Sequence, residues 1–302
     1  QSRLKDNTAE MLRGFLYFVK PFSLCYNMIA WKVGINMLGA MIGDMVGSIY
    51  EFDPIKTTDF PFWGKGCFFT DDTVMTAAVA KALMESRGAD EGEVKHSLIR
   101  RMQEFGALYP HAGYGQGFQE WLHSKAPQPY NSWGNGSAMR VSSVGWLYPS
   151  LEKTLFVAVL TAKVTHNHPE GIKGAASVAA AIYLLRTGKD KNEVRSYIED
   201  TFHYHFQQTL DEIRLDYQYN ASCQETVPQA MTAFWESYGF EDCIRKAVSL
   251  GGDCDTLTAI AGSIAEAYYG IPDAIKKEAL DRLDERLRGI YQEFLIWRLS
   301  HD

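Results

Sequence analysis

The sequence predicts a single all-α domain, and three features of the chain favour that fold class. Apolar residues recur at three- and four-residue steps along much of the chain, as expected for helices with one buried face. Alternating patterns typical of strands hardly occur, and no internal repeat or low-complexity linker divides the sequence. The chain has 302 residues, of which 46% are hydrophobic and 22% charged, so it can bury a sizeable core.

The predicted elements follow one another as helices separated by short polar segments. The apolar periodicity predicts helices over residues 74–84, 152–165, 171–186, 256–269 and 276–299. Glycines at positions 88, 188 and 270 are typical of helix ends, and Pro169 suits the first turn of the third helix. Charges separate the apolar positions of the last segment, which predicts one amphipathic terminal helix.

A composition shift at Met37, where a Gly- and Ala-rich segment begins, separates an N-terminal extension (1–36) from the main domain (37–302). The extension is rich in apolar and aromatic side chains, but Arg13 and Lys20 interrupt them. No run is long enough to span a membrane, and no small-residue cleavage site follows. We therefore expect a soluble protein without a membrane segment.

The cysteines and the net charge narrow the class of protein further. Five cysteines, an odd number without a CxxC pair, argue against a disulfide framework or a zinc ribbon and favour a reducing cytosol. A cytoplasmic location is therefore expected. The net charge of -7 makes a broad nucleic-acid-binding surface improbable.

Two acidic motifs mark the starts of Ala-rich helices. Thr70, Asp71 and Asp72 precede the first predicted helix, where a threonine N-cap and acids in the first turn would stabilise the helix terminus. Asp253 and Asp255 lie two residues apart before another such helix and are followed by Thr256. One such start is explained by capping, but two of the same composition also suggest a shared site.

If these two helix termini face each other, four carboxylates and two hydroxyls share one small volume. Burying several unpaired carboxylates is very costly, so divalent cations are the natural compensation. An all-oxygen ligand set suits Mg²⁺, Mn²⁺ or Ca²⁺ and disfavours zinc. Both motifs together thus predict a metal site.

Three further segments are candidates for roles beside such a site. Glu51 is an ordinary exposed acid unless it points into the same cleft, where it could ligate or transfer a proton, and Asp44 suits either a cap or another hydrogen-bonding role. A glycine-rich segment from Gly134 to Met139 could hold a phosphate or only form a turn. His166 and His168 lie on different faces of any helix, which argues against a His-His metal pair and leaves one histidine as a ligand contact.

As a set, these segments resemble the ADP-ribosylglycohydrolases, which include the dinitrogenase reductase-activating glycohydrolases and the human ADP-ribosyl-acceptor hydrolases. The resemblance covers about residues 37–269 and rests on five motifs in the family's order. These are GDMVGSIYE ending at Glu51, TDDT from Thr70, GNGSAMR from Gly134, THNHP around His166, and GGDCDT ending at Thr256. The paired acidic motifs are the most specific of the five.

The resemblance implies an orthogonal all-α bundle with two Mg²⁺ or Mn²⁺ ions in a cleft of the domain 37–302, which would be the catalytic domain. The implied metal ligands are Thr70, Asp71, Asp72, Asp253, Asp255 and Thr256. The implied catalytic acids are Glu51, Asp71 and Asp72. The implied substrate contacts are Gly134, Asn135, Gly136, Ser137, Ala138, Met139 and His166. The extension over 1–36 departs from the family pattern.

Family membership would make the protein a hydrolase that removes ADP-ribose from a modified protein side chain, with arginine as the expected acceptor. An alternative is an immunity protein whose extension blocks a cognate ADP-ribosyltransferase toxin, with or without hydrolysis. The aromatics of the extension would suit such an interface or docking on the domain itself. A third possibility, an inactive relative recruited for another role, is disfavoured by the intact acidic motifs.

Overall fold

The computed structural model of the protein describes residues 37–301, and in that range all regular structure is helical apart from one isolated bridge between Gly134 and Ser222. A 3₁₀ turn at Ser48–Tyr50 follows the first helix. In chain order the α-helices are α1 (Leu38–Gly47), α2 (Asp71–Glu85), α3 (Glu91–Leu108), α4 (Gln116–Leu122), α5 (Gly136–Met139), α6 (Ser142–Leu147), α7 (Leu151–Lys163), α8 (Pro169–Arg186), α9 (Lys191–Phe202), α10 (Leu210–Asp216), α11 (Cys223–Trp235), α12 (Phe240–Val248), α13 (Cys254–Tyr269), α14 (Asp273–Arg282) and α15 (Glu285–Leu299). The predicted all-α class is confirmed.

The centre of the fold is a close antiparallel crossing of α1 and α13. Gly39, Gly43 and Gly47 recur every four residues along α1 and face the backbone of α13. A Cβ atom on Gly43 would lie 2.1 Å from the carbonyl oxygen of Thr258, so only glycine permits this approach. All ten residues of α1 are buried. The crossing places the end of α1 beside the start of α13, where one acidic motif lies.

The remaining helices pack around this pair. α2 lies against α1, α3 and α15, while α8 lies against α6, α7, α11 and α13. Apart from the partly buried Ala267, the alanines on α2, α8 and α13 are almost completely buried, and their small side chains allow neighbouring helices to approach closely. The α2 and α13 starts therefore reach the interior of the bundle instead of its surface.

Four of the five predicted helices are present, each within two or three residues of its expected bounds, as α2, α7, α8 and α13. Pro169 occupies the first turn of α8, and the glycines at 88, 188 and 270 have positive φ angles. The single helix predicted over 276–299 is wrong. Leu283 is extended, and the Asp284 side chain accepts a hydrogen bond from the Leu287 N–H at 2.8 Å, so a new helix, α15, begins there.

The expectations for the extension over 1–36 lie outside the described residues. From Met37 onward, no described helix is both long and apolar enough to cross a bilayer. The cysteines at 67, 223, 243 and 254 are buried and unpaired.

Candidate active site

A cleft of about 500 Å³ opens where α1, α2 and α13 meet. Most of the residues predicted for the site line it, although they come from segments up to about two hundred positions apart in the chain. The acids and hydroxyls among them are Glu51, Thr70, Asp71, Asp72, Asp253, Asp255 and Thr256, and the glycine-rich segment contributes Gly134, Asn135, Gly136 and Met139. His166 also lines the cleft. The structure thus brings the separate motifs into one site.

The two acidic helix starts face each other, which is the arrangement on which a shared site depends. Thr70 is the N-cap of α2, and its hydroxyl accepts a hydrogen bond from the Asp72 N–H at 3.3 Å. The Thr256 hydroxyl in the first turn of α13 donates to Asp72 Oδ2 at 3.2 Å and so joins the two motifs. Thr70 thus caps its helix and also lies at the cleft, whereas Asp253, the N-cap residue of α13, makes no side-chain capping bond.

Asp44 holds the start of α2 against α1. Its buried carboxylate accepts hydrogen bonds from the backbone N–H groups of Thr70 and Thr73, at 2.9 and 3.0 Å, and from both threonine hydroxyls. Asp44 directly follows Gly43, which contacts α13, so this side chain fixes α2 to the central helix pair. The sequence left Asp44 open between a cap and another hydrogen-bonding role, and the structure shows that it caps a helix other than its own.

The carboxyl groups are crowded and largely out of water. Burial, followed by the charge of Asp255, raises the pKa values of Asp71, Asp72 and Asp253 well above the usual range for aspartate. Burial also raises the pKa of Asp255 itself. For Glu51, burial and the neighbouring Asp255 raise the pKa to about 7. Without positive charge nearby, each of these groups resists ionisation.

The donor set fits a hard divalent cation. Glu51, Asp253 and Asp255 place one carboxylate oxygen each within 4.8 Å of one another. Across the cleft, Asp72 Oδ1 is buried, and no hydrogen bond reaches it from anywhere in 37–301. A cation would satisfy a buried carboxyl oxygen that receives no hydrogen bond. Oxygen ligands without His or Cys match the preference of Mg²⁺, Mn²⁺ or Ca²⁺.

Two consecutive glycines shape the approach to Asp253. Gly251 and Gly252 have φ angles of +68° and +75°, and a Cβ atom on Gly252 would lie 2.5 Å from the Tyr217 ring. The left-handed backbone turns the chain sharply into α13. Asn135 then donates from Nδ2 to Asp253 Oδ2 at 2.7 Å, which ties the glycine-rich segment to the acidic cluster.

The glycine-rich segment forms the four-residue helix α5 at one wall of the cleft. Gly134, Asn135, Gly136 and Met139 line that wall. The other two residues of the predicted set do not: the Ser137 hydroxyl donates to the Gly171 carbonyl at 2.7 Å, and Ala138 is buried in the core. Any contact they make with a ligand would come from the backbone.

His166 lies directly above the glycines of this wall. A Cβ atom on Gly136 would lie 3.3 Å from His166 Nε2, and one on Gly134 would lie 3.4 Å from it. His168 instead accepts a hydrogen bond from the Glu170 N–H at 3.1 Å as the N-cap of α8. The two histidines therefore have different surroundings, in agreement with the expectation that they do not form a metal pair.

The loop between Glu51 and Thr70 is fixed to the body of the protein by hydrogen bonds of two basic side chains. Lys56 Nζ donates to the Leu250 carbonyl at 2.6 Å, just before the second acidic motif. Farther along the loop, Arg245 Nη1 donates to the Phe60 carbonyl at 2.6 Å. Both ends of this loop carry site residues, so these bonds restrict the geometry of the cleft.

Several lining residues were missed by sequence reasoning. The aromatic residues of the cleft are Phe52, Phe68, Phe118, Tyr130 and Tyr219, and Arg140 lines it as well. Phe52 directly follows Glu51, and Arg140 directly follows the glycine-rich segment, so proximity to a motif could have indicated both. Tyr219 lies in a loop without a motif, and nothing in its local sequence indicates that it reaches the cleft.

The sequence profile described as ADP-ribosylglycohydrolase matches residues 35–300. Among curated proteins, the chain is 26% identical over 341 residues to "ADP-ribosylhydrolase ARH3" of Homo sapiens, covering 85% of this chain and 93% of that protein. It is 27% identical over 284 residues to "ADP-ribosylarginine hydrolase Tri1" of Pseudomonas putida, covering 83% of this chain and 75% of that protein. It is 26% identical over 226 residues to "ADP-ribosyl-[dinitrogen reductase] glycohydrolase" of Rhodospirillum rubrum, covering 72% of this chain and 74% of that protein.

A solved structure described as "ADP-ribosylglycohydrolase-related protein complex" superposes with a TM-score of 0.64 at 24% sequence identity. The match covers 87% of this chain and 96% of that chain. This likeness supports the helical fold.

Proposed function

Because the chain belongs to the ADP-ribosylglycohydrolase family, with a match over residues 35–300, we propose that it hydrolyses the bond between ADP-ribose and an arginine side chain of a modified protein. The observation that carries this proposal is the meeting of Glu51, the two acidic helix starts and the glycine-rich wall in one cleft. The choice of arginine is supported by relatives from Pseudomonas putida and Serratia proteamaculans, both named ADP-ribosylarginine hydrolases.

The acidic cluster would hold two divalent cations, Mg²⁺ or Mn²⁺. The ligands would be Thr70, Asp71, Asp72, Asp253, Asp255 and Thr256, with Glu51 close enough to Asp253 and Asp255 to take part. When bound, such ions supply positive charge and Lewis acidity beside the scissile bond. The unpaired oxygen of Asp72 and the crowded carboxylates are the features of this chain that fit them.

Glu51 is the side chain best placed to move a proton. It is half-buried at the cleft, and its pKa of about 7 lets it exist in either protonation state near neutral pH. Asp71 and Asp72 are the other candidates, but both are more deeply buried, and burial together with the charge of Asp255 raises their pKa values well above the usual range. We assign Glu51 the role of general acid or base.

The remaining parts of the cleft would bind and orient the substrate. Departure of the arginine side chain leaves positive charge on the ribose ring, which carboxylates nearby can stabilise, as in other glycoside cleavages. The backbone of Gly134 and Gly136 lies open to the cleft and offers close approach to a diphosphate. A partner protein would then carry the modified arginine to the cleft mouth, where Phe52 and Tyr219 are exposed.

The proposal is tested with two peptides of the same sequence, one ADP-ribosylated on arginine and one on serine. Release of ADP-ribose is followed by liquid chromatography in excess Mg²⁺. We expect release from the arginine-linked peptide and a loss of at least about 100-fold in kcat for Glu51→Gln, within the range attributed to acid–base groups. Glu285→Gln, an exposed acid on α15 away from the cleft, is the matched control.

Two results would contradict the proposal. Faster release from the serine-linked peptide would exclude arginine as the preferred acceptor. Wild-type turnover of Glu51→Gln would assign proton transfer to another group.

A further inference from the structure

Behind the glycine-rich wall, three buried side chains form a continuous hydrogen-bonded chain that ends at the cleft. Arg140 Nη2 donates to the Thr165 hydroxyl at 2.7 Å, and Thr165 Oγ1 lies 2.6 Å from His166 Nδ1. Arg140 is 1% exposed, Thr165 0% and His166 5%. The glycohydrolase chemistry proposed above does not by itself require Arg140 or Thr165.

Arg140 decides the direction of this chain, because a guanidinium can donate hydrogen bonds but cannot accept them. Its Nη2 also donates to the Thr161 carbonyl at 3.1 Å, and its guanidinium lies 5.5 Å from the centre of the Phe118 ring. Burial lowers the pKa of Arg140 only to about 10, so the group stays charged at neutral pH. The bond with Thr165 therefore uses the hydroxyl oxygen as the acceptor.

The hydroxyl of Thr165 then has one available acceptor for its hydrogen, the Nδ1 atom of His166. Thr165 is completely buried, and in the structure from Met37 to His301 its side chain is bonded to Arg140 and His166 and to nothing else. The hydrogen is donated to Nδ1, which must then carry a lone pair. Burial, and next the charge of Arg140, lower the pKa of His166 well below its usual value, so the ring is neutral and its hydrogen must be on Nε2.

We propose that Arg140 and Thr165 are positioning residues that fix His166 in the Nε2–H tautomer and thereby present a neutral hydrogen-bond donor to a ligand oxygen in the cleft. Nε2 lies above Gly134 and Gly136, where the absence of side chains leaves it accessible. The identity of the ligand rests on the proposed function: the oxygen would belong to the diphosphate or adjoining ribose of ADP-ribose. The other tautomer would present a lone pair there and repel a phosphate oxygen.

The Tyr130 ring keeps the imidazole in place from the cleft side. Its centre lies 5.8 Å from that of His166, and the two planes are tilted by 58°. Packing on that side and the Thr165 bond on the other leave little freedom for the ring to flip. A flip would exchange the two nitrogens and break the chain, so geometry and tautomer support each other.

The tautomer is measured directly by ¹⁵N–¹H correlation spectra of histidine-labelled protein without ligand. His166→Gln identifies the His166 signals among the eight histidines of the chain. We expect a protonated Nε2 and an unprotonated Nδ1 in the wild type. Thr165→Val removes the hydroxyl at nearly constant volume and should yield a mixture of tautomers, and Thr165→Ser should restore the wild-type pattern. Thr154→Val, an equally buried threonine on α7, the helix that ends two residues before Thr165, is the matched control.

Binding of ADP-ribose by calorimetry gives the second readout. Loss of one oriented donor should weaken the affinity about tenfold in Thr165→Val, with recovery in Thr165→Ser and no change in Thr154→Val. A wild-type spectrum with the hydrogen on Nδ1 overturns the proposal without any variant. A Thr165→Val variant that keeps both the Nε2–H tautomer and wild-type affinity would also overturn it. Failure of the proposed function appears differently, as a wild type that binds no ADP-ribose, while the spectra still decide the tautomer.

Discussion

At the scale of single residues, Asp72 shows how two functions share one side chain. One of its oxygens accepts a hydrogen bond from Thr256, while the other is buried without a donor among the described residues. The first contact joins two helix starts, and the second oxygen is available to a cation. A substitution that keeps the shape and removes the charge separates these two effects.

We expect Asp72→Asn to have opposite consequences with and without metal. In EDTA the variant removes one acid from a crowded cluster, so its melting temperature should equal or exceed that of the wild type. Saturating Mg²⁺ should stabilise the wild type by about 3 kcal/mol at 100 times the dissociation constant, and the variant much less. Differential scanning calorimetry measures both.

Asp200→Asn, an exposed aspartate on α9, controls for the loss of one charge. It should show the full response to Mg²⁺. An Asp72→Asn protein that responds equally would remove this residue from the metal site.

Gly136→Val tests the wall opposite the acids. A Cβ atom there would already lie 3.3 Å from His166 Nε2, and the branched side chain must extend into the cleft or displace the imidazole. Calorimetry should show at least about tenfold weaker binding of ADP-ribose, the loss expected for one hydrogen bond. The Mg²⁺-dependent rise in melting temperature should persist. Unchanged ADP-ribose affinity would take this wall out of the binding site.

At the scale of elements, the crossing of α1 and α13 fixes the geometry of the site. Gly43→Ala should destabilise the protein by about 3 kcal/mol, because the added methyl group would lie 2.1 Å from a backbone carbonyl that cannot rotate away. Separation of the helices would also move Asp44 away from α2. The free energy of unfolding, measured with urea, and the affinity for Mg²⁺ should therefore fall together.

Gly289→Ala provides a control of opposite sign. Gly289 lies in α15 with nothing within 4 Å of an added Cβ atom, so the same substitution should stabilise that helix by about 0.5–1 kcal/mol. Equal effects of the two substitutions would mean that the close approach of α1 to α13 does not constrain the fold.

Helices were predictable where the sequence contains residues typical of helix termini as well as an apolar periodicity. α8 has Pro169 at its start and a glycine after its end, and it was predicted to within two residues. The break between α14 and α15 was missed because the apolar spacing continues through it, although Asp284 is a typical N-cap. α11 was not predicted, since Pro228 interrupts its pattern and the helix tolerates it.

At the scale of the whole molecule, the buried acids make stability depend on pH in an unusual direction. Glu51 and Asp44 have folded-state pKa values of about 7, above those of free side chains near 4. Between these values the folded state binds more protons than the unfolded state, so the free energy of unfolding falls as pH rises. In EDTA we therefore expect stability to decrease from pH 5 to pH 8.

Urea unfolding at each pH checks this prediction. Glu51→Gln should flatten the slope, because its amide does not titrate. Excess Mg²⁺ should remove or reverse the slope, since cations compete with protons for the same oxygens. A metal-free wild type that gains stability from pH 5 to pH 8 would show that the acids are not held as the structure has them.

The chemistry of the site was predictable from local motifs, and its supporting contacts were not. Acidic pairs at helix starts carry a local signal, so Asp71 and Asp255 could be named from the sequence. The contacts of Asp44 and of the Arg140–Thr165–His166 chain depend on which helices pack together, and local sequence patterns do not indicate that packing. Ser137 and Ala138 belong to the glycine-rich motif but face the interior, because residues 136 and 139, three apart, share the helix face that lines the cleft and the two residues between them do not.

The contact between α1 and α13 also has a consequence for the order in which the ribosome makes the chain. The Gly39 N–H bonds the Glu266 carboxylate 227 residues later, so at about 5–20 residues per second roughly 10–45 s separate their synthesis. Throughout that time a helix with ten residues destined for burial has no partner. Nascent chains that end before α13 should therefore be protease-sensitive and recruit chaperones, whereas chains that include it should become resistant in one late step.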